Sequence, residues 1–154
     1  MPDILHRVGA IAPIDNVYDA IATSSGIAAW WAKATTGGDG VGSTIESTFT
    51  IAETGEHVGT ISYAVEELVP SKRVAWRVIG GVPEWQDTLI RFDLEQAEDG
   101  YTIIQFGHEG WAEPSEFMGH CTTKWGSFLM SLKSYVETGV GQPSPVDVQI
   151  SNWH

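Results

Sequence analysis

The sequence predicts an α+β domain in which a curved antiparallel sheet of about six or seven strands packs against one long C-terminal helix. Between residues 43 and 109, apolar and polar side chains alternate in short segments, as in half-buried antiparallel strands. Between residues 113 and 141, apolar residues recur at helical steps of three and four: Met118, Cys121, Trp125, Phe128, Leu132 and Tyr135. A sheet with one apolar face and a helix with one apolar stripe bury both surfaces by packing together.

The N-terminal segment predicts one strand and two short helices. Residues 4–11 alternate as a strand, and Pro13 suits the start of a helix that carries Ile14, Val17, Tyr18 and Ile21 on one face. We expect Ser24 or Ser25 to cap the second helix, which carries Ile27, Trp30 and Trp31. The glycine-rich run at residues 35–42 predicts a flexible turn.

Five further strands are predicted from the alternation that follows. They cover residues 44–51, 58–68, 73–79, 88–96 and 101–109. Asp99-Gly100 is a strong hairpin signal between the last two strands. The connections are short, which favours an antiparallel meander over parallel crossovers.

The long helix is predicted to begin near Pro114 and to end near Gly139 and Gly141. About 24 residues at ~1.5 Å each give a rod of roughly 36 Å. We therefore expect one domain over residues 1–140, followed by a tail at residues 141–154. The tail is interpreted either as a loosely ordered terminus or as an added edge strand or strap onto a partner chain.

Composition argues against several classes of function. The formal net charge is −12, which disfavours nucleic acid and anionic membrane surfaces as partners. The N-terminal residues show no pattern of a signal peptide, and the only cysteine is Cys121, so the expected compartment is the reducing cytoplasm. No set of three metal ligands with suitable spacing is evident, and neither a metal nor a cofactor is expected.

Several short motifs in order along residues 4–139 together resemble a known superfamily. They are Ala12-Pro13, Val17-Tyr18, Trp30-Trp31, Gly59, Trp76, Phe106, His108, Gly110-Trp111, and Trp125 with Phe128, Leu129 and Leu132. The chain resembles the helix-grip superfamily of START and Bet v 1-like domains. Within it, the chain is most similar to the family named for the C-terminal domain of the Hsp90 ATPase activator. The resemblance implies an apolar cavity between the sheet and the C-terminal helix.

Twelve residues are the candidates for lining this cavity. They are Trp30, Phe49, Tyr63, Trp76, Ile90, Phe92, Ile104, Phe106, His108, Cys121, Trp125 and Phe128. Two interpretations remain open, because the same residues could fill a solid core or surround a ligand. His108 shares its strand face with Ile104 and Phe106, so it is either a hydrogen-bonded core histidine or an acid/base group at the cavity mouth.

Three functions are compatible with these observations. The leading hypothesis is binding of a small hydrophobic or amphipathic molecule, with His108 and Tyr63 orienting its polar end. The second is a cyclase or hydrolase that acts on an aromatic or polyketide-like compound, for which His108 is the best catalytic candidate. The third is a protein-interaction or chaperone-assisting module, and a homodimer is an open alternative for the assembly.

Overall fold

The computed structural model describes residues 1–154, whose elements follow the predicted order. The elements are β1 (Ile4–Ala10), α1 (Ile14–Ala22), α2 (Ser24–Trp30), β2 (Ala34–Gly37), β3 (Thr44–Thr50), β4 (His57–Val69), β5 (Arg73–Gly80), β6 (Leu89–Gln96), β7 (Thr102–Glu109) and α3 (Glu116–Thr138). A 3₁₀ turn, Pro83–Trp85, connects β5 to β6. The prediction of an α+β fold with a long closing helix is confirmed.

The seven strands form one antiparallel sheet in the order β1-β7-β6-β5-β4-β3-β2. Strands β2 to β7 pair with their sequence neighbours, as expected for a meander, and β1 pairs with β7. The β3–β4 register shifts at Phe49/Thr50, and the β4–β5 register shifts twice. Such irregularities bend the strands, which helps the sheet to curve around α3.

The turn predicted at residues 35–42 is partly wrong, because its first residues form β2. Ala34–Gly37 pair with β3, and the hydroxyl groups of Thr35 and Ser47 lie 2.8 Å apart across the two strands. Thr35 and Thr36 are β-branched and favour an extended backbone, which the glycine-rich composition of the segment obscures.

The starts of two helices differ slightly from prediction. Thr23, and not Ser24 or Ser25, caps α2 by accepting a 3.0 Å hydrogen bond from the Gly26 amide. Ser115 caps α3 by accepting a 3.1 Å hydrogen bond from the Met118 amide, so Pro114 lies before the helix. At the other end Gly139 adopts a left-handed conformation with φ 87°, as a helix C-terminus favours.

The apolar face of α3 packs against the sheet and the N-terminal helices. Cys121, Trp125, Phe128 and Leu132 are buried, and Met118 and Tyr135 at the ends of the stripe are half-buried. The helix also covers the free edge of β1, where the Lys133 ammonium donates to the Gly9 carbonyl at 2.7 Å. No helix of the structure is long and apolar enough to cross a bilayer.

The C-terminal tail folds back onto its own chain without forming a strand. Ser144 makes a single parallel bridge to Ala32 and accepts a 2.9 Å hydrogen bond from the Lys33 amide. Its hydroxyl group accepts a 3.0 Å hydrogen bond from the Thr50 amide. The tail is therefore anchored at Ser144, and the residues beyond it run over the surface of α3.

Leu132→Ala should test the contact between α3 and the sheet. Leu132 is completely buried, so the substitution should lower the free energy of unfolding by about 2–5 kcal/mol. Met130→Ala is the matched control on the same helix, because Met130 is 50% exposed and should lose about 0.5 kcal/mol or less. Urea denaturation followed by circular dichroism measures both. Equal losses would show that this face of α3 is not packed as described.

Candidate functional site

A cavity of about 350 Å³ lies between α3, the β3–β4 end of the sheet and the C-terminal tail. Most of its lining residues are apolar, and Trp31, Phe49, Ile61, Trp85, Trp125 and Phe128 form much of the wall. Gly59 on β4 also lines the cavity, and a Cβ atom at this position would meet nothing within 4 Å. The absence of a side chain at Gly59 therefore leaves part of the space open.

Helix α3 presents two rows of side chains to the cavity. Phe117, Cys121 and Trp125 follow one another at steps of four and form an apolar row. His120 and Lys124 lie one position before Cys121 and Trp125 and form a polar row beside it. The cavity is consequently apolar along most of its wall and polar at one end.

Stacked indole rings make the aromatic wall rigid. Trp85 and Trp125 are nearly parallel, with centroids 6.0 Å apart and an interplanar angle of 15°. Trp125 stacks on Trp31 at 5.2 Å and 21°, and Trp31 stacks on Trp76 at 5.6 Å and 22°. Because Trp125 lies on α3, Trp85 on the 3₁₀ turn, Trp76 on β5 and Trp31 directly after α2, the stacked rings join the helix, the turn and the sheet.

His108 lies below the cavity, behind Trp85 and Trp125, and it is completely buried. The Trp125 indole N–H donates to its Nδ1 at 3.1 Å. Its Nε2 lies 2.8 Å from the Thr88 hydroxyl, whose own hydrogen is donated to the Trp85 carbonyl at 2.6 Å. Nε2 must therefore carry the proton and donate it to Thr88, which defines the tautomer.

Burial lowers the pKa of His108 to about 3. The imidazole is thus neutral near pH 7, and both of its nitrogen atoms have protein partners. These contacts make His108 a positioning residue for Trp125. It is not among the residues that line the cavity.

The structure separates the twelve candidate residues into two groups. Phe49, Cys121, Trp125 and Phe128 line the cavity. The other eight are at most 1% exposed and pack together below it: Trp30, Tyr63, Trp76, Ile90, Phe92, Ile104, Phe106 and His108. Strands β5 to β7 thus supply a filled core, and the open space lies toward β3 and β4.

Several lining residues were not among the sequence candidates. Lys124 and His120 sit beside the apolar stripe of α3, so their positions next to Cys121 and Trp125 could have indicated them. Asp147, Trp153 and His154 reach the cavity from the tail, and no periodic pattern places them there.

Burial raises the pKa of the Cys121 thiol to about 12, which keeps it protonated and poorly nucleophilic near pH 7.

The polar end of the cavity is organised around Lys124. Its ammonium group lies 2.6 Å from Asp147 Oδ2, and the two side chains are only 15% and 3% exposed. His120 Nδ1 lies 3.0 Å from the Ser151 hydroxyl, and burial together with the Lys124 and His154 charges lowers the pKa of His120. Lys124 is the one lysine or arginine among the lining residues at this end.

The architecture and the internal cavity define a helix-grip protein. Residues 11–137 match the model of the family described as activator of Hsp90 ATPase homolog 1-like protein. The chain belongs to this family, which confirms the predicted resemblance. No functionally curated protein matches the chain.

Solved structures agree with this assignment. The chain is 39% identical to the Aha1 of Colwellia psychrerythraea, whose solution structure is described as a dimer; the match covers 92% of this chain and all of that one, with a TM-score of 0.76. SSP2350 of Staphylococcus saprophyticus is 18% identical over 99% of this chain and all of its own, with a TM-score of 0.69. CalU16 of Micromonospora echinospora is 20% identical over 93% of this chain and 77% of its own, with a TM-score of 0.68. The last two similarities concern the fold alone.

The buried His108 should make the protein sensitive to acid. Between pH 6.5 and about 3, the unfolded chain binds a proton at this histidine that the folded chain does not bind. The free energy of unfolding should therefore fall as the pH falls through this window, by up to about 1.4 kcal/mol per pH unit. Urea denaturation at several pH values measures this slope.

His108→Gln isolates this contribution from those of other groups. The glutamine amide can accept from Trp125 and donate to Thr88, but it does not titrate. The variant should show a shallower loss of stability between pH 6.5 and pH 4 than the parent protein. An unchanged slope would mean that His108 does not take up the proton on unfolding.

Proposed function

We propose that this protein binds a small apolar or amphipathic molecule non-covalently in the cavity between the sheet and α3. The observation that carries this proposal is the open space of about 350 Å³ beside a rigid wall of stacked indoles. Its size falls within the roughly 300–1,000 Å³ typical of small-molecule sites. Burial of apolar ligand surface at ~25 cal/mol per Å² would drive binding.

The aromatic wall favours binding because it is preorganised. Trp125 is held by its hydrogen bond to His108 and by two stacking neighbours, so little side-chain freedom is left to lose when a ligand enters. Trp31 contacts Phe49 edge-to-face at 5.2 Å, which orders the opposite side of the cavity as well. Flat apolar groups would find both ring faces and ring edges to contact.

The geometry favours binding over catalysis. His108, the best catalytic candidate from the sequence, has both nitrogen atoms engaged in the core, and the Cys121 thiol is protonated. A cyclase or hydrolase would have to use other polar groups of the cavity lining, such as Glu84 or His120. A chaperone-assisting role is supported by the description of the family and by no feature of this cavity.

Filling the cavity should abolish binding without unfolding the protein. Gly59→Leu would place a side chain in open space, so binding of the neutral fluorescent probe N-phenyl-1-naphthylamine should be lost while the thermal midpoint changes little. Gly119→Leu is the matched control, because Gly119 is exposed on α3, is away from the cavity lining and also has nothing within 4 Å of an added Cβ. It should retain probe binding.

Fluorescence titration and thermal denaturation of the three proteins decide this test. Equal probe binding by the parent protein and Gly59→Leu would show that the probe binds elsewhere. Native mass spectrometry of the purified parent protein provides a second measurement, since a co-purified small molecule should be depleted in Gly59→Leu.

A homodimer is also proposed for this chain. The support is the 39% identical Colwellia psychrerythraea relative, whose structure is described as a dimer. Sedimentation equilibrium should then give about twice the chain mass of 16.7 kDa. A value equal to the chain mass at all concentrations would refute the dimer and leave the cavity proposal untouched.

A further inference from the structure

Lys124 is the single lysine or arginine on the cavity surface. Its hydrogen-bond and ion-pair partners all belong to the tail, and its ammonium group also lies 5.3 Å from the centroid of the Phe128 ring on the same helix. Its ammonium group contacts Asp147 Oδ2 at 2.6 Å, the Val148 carbonyl at 2.6 Å and the His154 carbonyl at 3.4 Å. An ammonium group has three donors, and these contacts use all of them. A cation in a largely apolar cavity is thus neutralised by a segment outside the sheet.

Asp147 is an incompletely satisfied partner for this cation. Its carboxylate is almost fully buried, yet only Oδ2 is engaged, by Lys124 and by His154 Nε2 at 3.6 Å. The second oxygen, Oδ1, is buried and has no hydrogen-bond partner in the protein, and His154 Nε2 also lacks one. A buried carboxylate oxygen without a donor is unfavourable, and exposure to water would relieve it.

The tail segment from Asp147 to His154 is held by few other contacts. Ser151 pairs with His120, and the Trp153 ring meets the His120 ring edge-to-face at 5.6 Å. The segment makes no strand pairing, whereas Ser144 before it is anchored to Trp31, Lys33 and Thr50. Release of the segment would therefore leave the sheet and the Ser144 anchor intact.

We propose that Lys124 recognises the carboxylate of an amphipathic acid bound in the cavity, and that Asp147 occupies this position until the acid displaces it. This inference rests on the proposed function and names the class of ligand: an apolar body with a carboxylate head. The exchange keeps one lysine–carboxylate pair in the cavity. The ligand carboxylate loses its hydration, and the released Asp147 regains its own.

The surrounding charges are compatible with an acidic ligand. Glu84, the other carboxylate on the cavity lining, is exposed, so water and salt screen its repulsion. His120 and His154 complete the titratable groups at this end, and both can donate to a carboxylate oxygen. The apolar wall formed by α3 and the indoles would take the body of the ligand.

Calorimetric titration with decanoate and with decanol tests the inference, because the two compounds share a chain and differ in the charge of the head. Asp147→Asn removes the internal competitor and should strengthen decanoate binding by about tenfold, leaving decanol within about twofold. Lys124→Met removes the charge, keeps most of the length of the unbranched side chain and should weaken decanoate binding by about tenfold or more, again sparing decanol. Lys133→Met is the matched control, since Lys133 on the same helix pairs with Glu137 away from the cavity.

Displacement of the tail gives a readout that does not depend on any substitution. Amide NMR signals of residues 147–154 should shift toward the positions of a disordered chain on adding decanoate, and much less on adding decanol. Equal affinity of the two compounds in all variants, or unchanged tail signals with bound decanoate, would overturn the inference. If N-phenyl-1-naphthylamine binds but neither alkyl compound does, the inference fails and the cavity proposal stands. If no probe binds, both fail.

Discussion

The fold and the cavity both depend on the hydrogen bond between Trp125 on α3 and His108 on β7. This bond joins the helix to the sheet in the interior, where a lost partner would leave a buried indole N–H unsatisfied. Burial keeps His108 neutral, and only the neutral ring offers the acceptor nitrogen that Trp125 needs. The same bond orients the Trp125 ring between Trp31 and Trp85 and so positions the aromatic wall.

Two halves of the interior have different roles because their side chains differ in size. Under β5 to β7, Trp76, Phe92 and Phe106 fill the space against Trp125 and Trp30. Toward β3 and β4, Gly59 contributes no side chain and pairs with Phe49 beside a register shift. The filled half stabilises α3 on the sheet, and the unfilled half leaves room that a ligand can occupy.

Local sequence patterns predict the elements well but not the position of the cavity. The three-and-four spacing from Met118 to Tyr135 identifies the buried face of α3. The alternation of side chains along β7 correctly predicts that His108 points into the interior. Alternation along the strands cannot show at which end of a curved sheet side chains fill the interior. That depends on residues such as Gly59, which has no side chain, and on register shifts between strands. Consecutive Thr23, Ser24 and Ser25 are all good caps, so composition alone cannot choose among them. The tail reaches the cavity through contacts of its residues with Lys124 and His120, which are far away in sequence, and such contacts leave no periodic signal.

The Lys124–Asp147 pair differs from every other lysine– or arginine–carboxylate pair of the protein in its burial. Asp147 is 3% exposed, whereas the carboxylates paired with Arg73, Arg77, Arg91 and Lys133 are between 25% and 47% exposed. Those more exposed pairs link neighbouring strands, residues two apart on β6 or successive turns of α3, and they contribute little individually. A buried pair gains little net stability because both charges lose their hydration, so stability is a weak reason for its presence. With a net charge of −12 the chain has few cations, and one of them lies in an apolar cavity where it can discriminate between bound groups by charge. The physical chemistry of this pair therefore fits recognition better than reinforcement of the fold.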